Sequence, residues 1–134
     1  MTSQVNGVLP LLSEQDIVLS RQAVRKLTQG LNFSLVDQTK LITAASELAR
    51  NTLVYGGGGE MRWEILNEGL RKGVRLHFED HGPGIADVAL ALTDGYTSGK
   101  GMGVGLGGSK RLVNEFSIRT APGEGTCVSV TRWK

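Results

Sequence analysis

Between Ile17 and Leu31 the apolar residues return at the spacing of an α-helix. Ile17, Val24, Leu27 and Leu31 fall on one stripe. Ser13, with Asp16 three residues on, supplies an N-cap signal, and Gly30 marks the end. Ser34 with Asp37 repeats that signal for a second helix. Its buried stripe is predicted to be Leu35, Ile42, Ala45, Leu48, Ala49 and Thr52, and the GGGG run at 56–59 ends it. The period then changes to alternation. Met61, Trp63 and Ile65 face one way and Arg62 and Glu64 the other, and Val74, Leu76 and Phe78 repeat the pattern after the turn-forming NEGLRKG. Residues 80–105 keep neither period and hold most of the turn formers, so they are predicted to form a long loop. Such loops in compact domains are usually functional or disordered. A third helix is predicted over Leu106–Glu115, followed by strands at Phe116–Thr120 and Thr126–Trp133 joined by APGEG. At the start, VLPLL (8–12) fits a short edge strand, with Pro10 where a missing N–H is harmless. The order predicts one α+β domain over 1–134, a two-layer sandwich with helices on one face of a largely antiparallel sheet.

Composition narrows the class of protein without naming a reaction. A chain of 134 residues is long enough for one domain with a two-layer core, and 40% hydrophobic with 21% charged residues is ordinary for a soluble globular protein. The net charge of +2 and scattered basic residues leave no nucleic-acid footprint. Arg71, Lys72 and Arg75 lie close together, but they flank Gly73 in the predicted hairpin, where a solvated turn accounts for them. Cys127, the lone cysteine, cannot form an internal disulfide, which suits a reducing cytosol. MTSQVNGVLPLLSEQD lacks the basic start and apolar run of a signal peptide, and no apolar stretch approaches the roughly 20 residues that span a bilayer. The expectation is a soluble cytoplasmic domain.

The glycines carry the chemistry. In GKGMGVGLGG (99–108), Gly101, Gly103, Gly105 and Gly107 come just before the third helix. Free backbone N–H groups at a helix start, with the positive end of its dipole, form an anion site, and glycines let the chain wrap a polyphosphate closely. The alternative is a flexible loop. Gly103, Gly105 and Gly108 formally satisfy G-x-G-x-x-G, but no strand of a βαβ unit precedes them, and GGSK reverses the G-K-[ST] of a Walker A loop. Upstream, EDHGPGI (79–85) places Asp80 at a strand end with Gly82 and Gly84 behind it. A carboxylate there could accept the exocyclic amine of an adenine, or the stretch could be only a turn. Glu47 and Asn51 sit four residues apart in SELARN, on one face of the second helix. A carboxylate and a hard oxygen ligand suit Mg²⁺ carried by phosphates, although an exposed helix pair has the same spacing.

Taken in order, helix E-x-x-x-N, strand-end D-x-G-x-G, G-x-G-x-G-x-G opening a helix, and the late Gly125–Thr126 resemble the GHKL ATP-binding superfamily, with its Bergerat fold, over essentially Ser13–Lys134. Within it, SELARNTLVYGGGGE, EDHGPGI and DGYTSGKGMGVGLGGSKRLVNEF resemble the RsbT-type switch kinases of stressosome and partner-switching systems. The resemblance implies an ATP- and Mg²⁺-dependent serine/threonine kinase. Asn51 would bind Mg²⁺, and Glu47 would act as base or polarise the attacking hydroxyl. Asp80 would take adenine, with Gly82, Gly84 and Thr126 shaping its pocket. Gly101, Gly103, Gly105 and Gly107 would hold the phosphates, and Lys100 beside them could pair with the γ-phosphate or be a solvated lid charge. The implied substrate is a STAS-domain protein, and the released kinase would bind and activate a metal-dependent serine phosphatase. Two rivals stay open: an RsbW-type anti-sigma kinase that sequesters a sigma factor, and a binding module that uses nucleotide only to set its shape. His81 is read as tolerated in a variable slot, His77 as a surface strand residue, and Trp63 and Trp133 as core or sheet-face residues. Arg50 could meet phosphate or partner, or form a surface salt bridge.

Overall fold

Both long helices begin where a serine oxygen replaces a missing backbone acceptor. Ser13 Oγ accepts the Asp16 N–H at 3.3 Å, and Ser34 Oγ accepts the Asp37 N–H at 3.1 Å. Asp16 in turn accepts the Leu12 N–H at 2.8 Å, closing the turn from strand to helix. The computed structural model describes residues 2–85, 88, 92 and 106–134. Among them the chain runs β1 (Thr2–Leu11), α1 (Glu14–Gly30), α2 (Leu35–Val54), β2 (Gly59–Glu68), β3 (Arg71–Asp80), α3 (Leu106–Arg111), β4 (Glu115–Thr120) and β5 (Thr126–Trp133).

The strands form one five-stranded sheet in the order β1-β2-β3-β5-β4, with every neighbouring pair antiparallel. Alternation gives the sheet two different faces. Val74, Leu76 and Phe78 of β3 and Val128 and Val130 of β5 point inward, against Leu41, Ala45, Leu48 and Ala49 of α2, with Ile17 and Val24 of α1 in the same cluster. The opposite face is polar along most of its length. It ends at Trp133, whose ring covers Gly73 so closely that a Cβ there would lie 2.7 Å from it, and Arg71 stacks on the ring at 4.1 Å. At the sheet's edge, β1 carries a register irregularity between Val5 and Gly7, and the Trp63 indole fills the space a Gly7 side chain would need.

The predicted two-layer α+β architecture is the observed one, with local corrections. β1 spans Thr2–Leu11 rather than residues 8–12, because its ladder with β2 continues to the Thr2–Asn67 pair. Leu35 is 76% exposed, since Asp37 takes the sheet-facing position of that turn by pairing with Arg132 of β5, and Leu41 and Ala44 continue the buried stripe. The third helix stops at Arg111, not Glu115. Asn114 donates its N–H to Thr131 O and accepts the Trp133 N–H, which draws the chain into the sheet, and Glu115 becomes the first residue of β4 and accepts the Trp133 indole N–H at 2.9 Å. Within the predicted 80–105 loop, the Leu92 N–H donates to Val88 O at 3.0 Å, and both residues pack on the core. No helix among the described residues is long and apolar enough to cross a membrane.

Candidate nucleotide site

The inner ends of β3 and β5 meet the C-terminal end of α2, and there the sequence motifs converge. Asp80, the last residue of β3, pairs in register with Thr126, the first of β5. Its side chain is buried at 6% exposure. Burial pushes the Asp80 carboxyl above its ordinary pKa, opposed by hydrogen bonds from the Gly82 and Thr126 backbone N–H groups. Asp80 Oδ1 accepts the Gly82 N–H at 2.8 Å. A buried carboxylate can accept more bonds than this, and a ligand N–H would complete its shell.

The D-x-G-x-G segment is tied to both neighbouring elements. Gly84 has φ +76°, and a Cβ there would lie 2.1 Å from the Ala121 carbonyl oxygen. Its carbonyl accepts the Tyr55 hydroxyl at 3.3 Å from the end of α2. A Cβ on Gly82 would lie 2.7 Å from the Gly56 carbonyl oxygen, and one on Gly56 would lie 2.4 Å from the Asp80 carboxyl carbon. Thr120 Oγ1 accepts the Ile85 N–H at 2.9 Å and lies 2.8 Å from Gly125 O and 2.9 Å from Thr126 Oγ1, joining the loop to the β4–β5 turn. A cavity of about 330 Å³ opens at this end of the sheet, walled by Asp80, Thr120, Gly125 and Thr126 among others.

One turn back along α2 from this corner, Asn51 is buried at 9% exposure, and its Nδ2 has no hydrogen-bond partner among the described residues. Its backbone carbonyl accepts the Tyr55 and Gly56 N–H groups, so the helix end that carries Asn51 also sets the distance to Asp80. An orphaned buried N–H donor is costly in a finished fold and suits a ligand oxygen such as a phosphate's, while the amide oxygen of the same side chain is the atom able to take a cation. Glu47 is partly buried on the same face of the helix, and lines a groove of about 430 Å³ between α1 and α2 together with Ser46, Arg21 and Arg25. Among the described residues no cluster of three or more His, Cys, Asp and Glu could hold a metal ion. Mg²⁺ arriving with phosphates needs no such cluster, since it keeps its waters and takes one or two protein ligands.

The structure therefore brings together Asp80, Gly82, Gly84 and Thr126, with Asn51 on the adjoining helix. Lys100, Gly101, Gly103 and Gly105 lie outside the described residues, and Gly107 is buried in the first turn of α3. Sequence reasoning missed Gly56, Tyr55 and Thr120. GGGG reads as a helix stop, although a glycine run between a helix and a strand also permits the close approach that Gly56 makes to Asp80. Arg50 forms the surface pair weighed for it, with Glu14 at 3.4 Å. His77 lies on the sheet's polar face as expected, but its side chain is only 20% exposed and is hydrogen-bonded.

The two-layer sandwich that carries this corner is the fold of an ATPase family. The model of the HATPase_c family, described as histidine kinase-, DNA gyrase B- and HSP90-like ATPase, matches residues 36–134, and the chain belongs to that family. Serine/threonine-protein kinase RsbT of Bacillus subtilis is 42% identical over 123 residues, 92% of this chain and 92% of that protein. The chain is accordingly an ATP-dependent serine/threonine-protein kinase similar to RsbT. An anti-sigma F factor of Clostridium novyi is 28% identical over 121 residues, covering 87% of this chain and 85% of that protein. In the crystal structure of the SiaB–SiaC complex from Pseudomonas aeruginosa, a chain with 17% identity superposes at a TM-score of 0.56 over 97% of this chain and 91% of its own length, which shows the shared fold.

Proposed function

We propose that this kinase moves the γ-phosphoryl of Mg–ATP to a serine or threonine of a STAS-domain partner and, once released, binds and activates a metal-dependent serine phosphatase. The observation that carries the reading is the buried, unpartnered Asn51 amide, one turn from Glu47 and tied through the end of α2 to the buried Asp80 carboxylate. Asp80 takes the adenine amine, with Gly82, Gly84 and Thr126 shaping the pocket around it. Asn51 would hold Mg²⁺ through Oδ1, leaving Nδ2 to donate to a phosphate oxygen, and the ion when bound would neutralise phosphate charge. Gly101, Gly103, Gly105 and Gly107 are assigned to the phosphates through the family resemblance, with Lys100 beside them.

Glu47 orients the acceptor hydroxyl and takes its proton as the new O–P bond forms and the β–γ bridging bond breaks. Positioning and charge neutralisation supply most of the acceleration, as expected for a loose phosphoryl-transfer transition state. The α1–α2 groove leads to Glu47 and carries Arg21 and Arg25, so it suits an acceptor segment with acidic residues beside its hydroxyl.

The test is transfer from γ-labelled ATP to STAS proteins encoded beside this chain, using wild type and Glu47→Ala. Label on serine or threonine, lost about 10²–10⁴-fold in the variant while ATP binding persists, supports the reading. ATP binding with no transfer to any cognate STAS protein overturns it in favour of a nucleotide-gated binding module. The likeness to an anti-sigma F factor favours a second reading, in which the ATP-bound form holds a sigma factor. Nucleotide-dependent capture of a sigma factor, with no effect on any phosphatase, would select that one.

A further inference from the structure

On the sheet face turned away from the helices, Glu64, His77 and Ser129 form a connected chain across β2, β3 and β5. His77 and Ser129 are direct cross-strand partners, and Ser129 Oγ lies 2.7 Å from His77 Nδ1. His77 Nε2 lies 3.3 Å from Glu64 Oε1, and the two side chains are only 20% and 16% exposed. Arg75 braces Glu64 from the far side at 4.0 Å and also pairs with Glu115. A hydroxyl, an imidazole and a carboxylate in this order are the parts of an activated serine nucleophile. His77 and Ser129 open on a groove of about 250 Å³ that also holds Arg62 and Arg119. Arg62 is paired with Glu60 and Glu79, whereas Arg119 is exposed and has no hydrogen bond or ion pair among the described residues.

We propose that Ser129 is a histidine-activated nucleophile that accepts an acyl group from small acyl phosphates. The face explains the donor class. Backbone N–H groups inside a sheet are committed to the ladder, so stabilisation of the developing oxyanion falls to guanidinium groups. Arg119 is the cation free to meet an anionic donor. With the ring proton on Nε2 toward Glu64, Nδ1 takes the Ser129 proton as Oγ bonds to the carbonyl carbon. The carbon–oxygen bond to phosphate then breaks, the His77 imidazolium gives the proton it took to the departing oxygen, and inorganic phosphate leaves as hydrogen phosphate, with His77 neutral again opposite Glu64. The product is an O-acyl serine. Asp80 and Thr126 face the inner side of the sheet, whereas Glu64, His77 and Ser129 lie on the outer one, and Arg119 lines both the cavity beside Asp80 and the groove beside Ser129.

The test incubates the full chain with isotopically labelled acetyl phosphate and maps modified residues by mass spectrometry over time. Ser117, exposed on the same face without a base of its own, is the internal reference. The expected result is acetylation of Ser129 well ahead of Ser117, slowed about 10²–10⁴-fold in His77→Gln and absent in Ser129→Ala, with both variants still binding ATP. An unmodified Ser129, a Ser129 rate equal to that of Ser117, a folded His77→Gln that reacts as fast as wild type, or phosphoryl in place of acetyl on Ser129 would each overturn the proposal. The Ser129 to Ser117 comparison needs only wild-type protein, so it decides even if the histidine variant does not fold.

Discussion

Gly56→Ala separates the adenine role proposed for Asp80 from general stability. Gly56 is buried just beyond α2, and its N–H bonds to Asn51 O at 3.1 Å. Its φ lies outside the left-handed region, so alanine is compatible with the backbone, and the obstacle is the neighbour. A Cβ there would lie 2.4 Å from the Asp80 carboxyl carbon and 2.5 Å from Oδ2. The side chain of Asp80 must swing away, giving up its bonds to the Gly82 and Thr126 N–H groups. Overpacking of this kind costs about 1–3 kcal/mol of stability. Loss of one hydrogen bond between a ligand and a charged group costs about 1.5–3 kcal/mol, or roughly a 10- to 150-fold weaker Kd for ATP. The adjacent Gly57 is the control: at φ +77° with nothing within 4 Å of its Cβ position, alanine there strains the backbone by about 1–2 kcal/mol without touching Asp80. Calorimetric ATP titration with thermal melts reads both effects. Both variants are expected to melt lower, and only Gly56→Ala to bind ATP weakly. A folded Gly56→Ala with wild-type affinity would refute the assignment of Asp80 to adenine.

Asn51→Ala is expected to leave apo stability within about 1 kcal/mol of wild type, because the Nδ2 it removes has no partner to lose, while Mg²⁺-dependent ATP binding and phosphate transfer disappear; melts with and without Mg–ATP check both. Asp37→Asn breaks the Asp37–Arg132 pair between α2 and β5 and should cost about 1 kcal/mol at neutral pH, read by urea unfolding. The hydrogen bond from Arg132 holds the Asp37 carboxyl below its ordinary pKa, so its contribution is complete above the unfolded value and is lost as pH falls through the lower, folded one. Asp80 has the opposite sign. Burial raises its pKa, so its charge costs stability above the folded value, and that cost is relieved as pH falls toward the unfolded one. Over that same window ATP affinity should drop as the acceptor is protonated, so acid titration of ATP binding should weaken before the Asp37 pair fails.

The helices and the inner strands were legible because their periods are set by burial. Val74, Leu76 and Phe78 alternate since one face of β3 meets α2, and Leu48, Ala49 and Thr52 recur because that helix has one buried side. Failures came where local signals were overruled. The apolar character of Leu35 points inward by pattern, but the sheet-facing place in that turn goes to Asp37, whose partner Arg132 is remote in sequence. RLVNE reads as helix until Asn114 finds Thr131 and Trp133, partners that are remote in sequence. The site followed the same rule. Asp80, Gly82 and Gly84 are recognisable as a motif, but the approach of Gly56 to Asp80 and the Thr120 bonds are long-range facts that no spacing encodes. The Glu64–His77–Ser129 chain is hidden for the same reason, since strand register alone makes those three neighbours.

The exposed edge of β1 limits how this protein can meet others. A regular edge strand offers an open row of donors and acceptors onto which any extended peptide can be laid, with little regard for its side chains. Here the step in register between Val5 and Gly7 kinks that row, and Pro10 deletes a donor from it. Extension of the sheet by a foreign strand is therefore disfavoured at this edge. Recognition there falls instead to side chains, whose contacts are specific to one partner and can be exchanged for another without unfolding either.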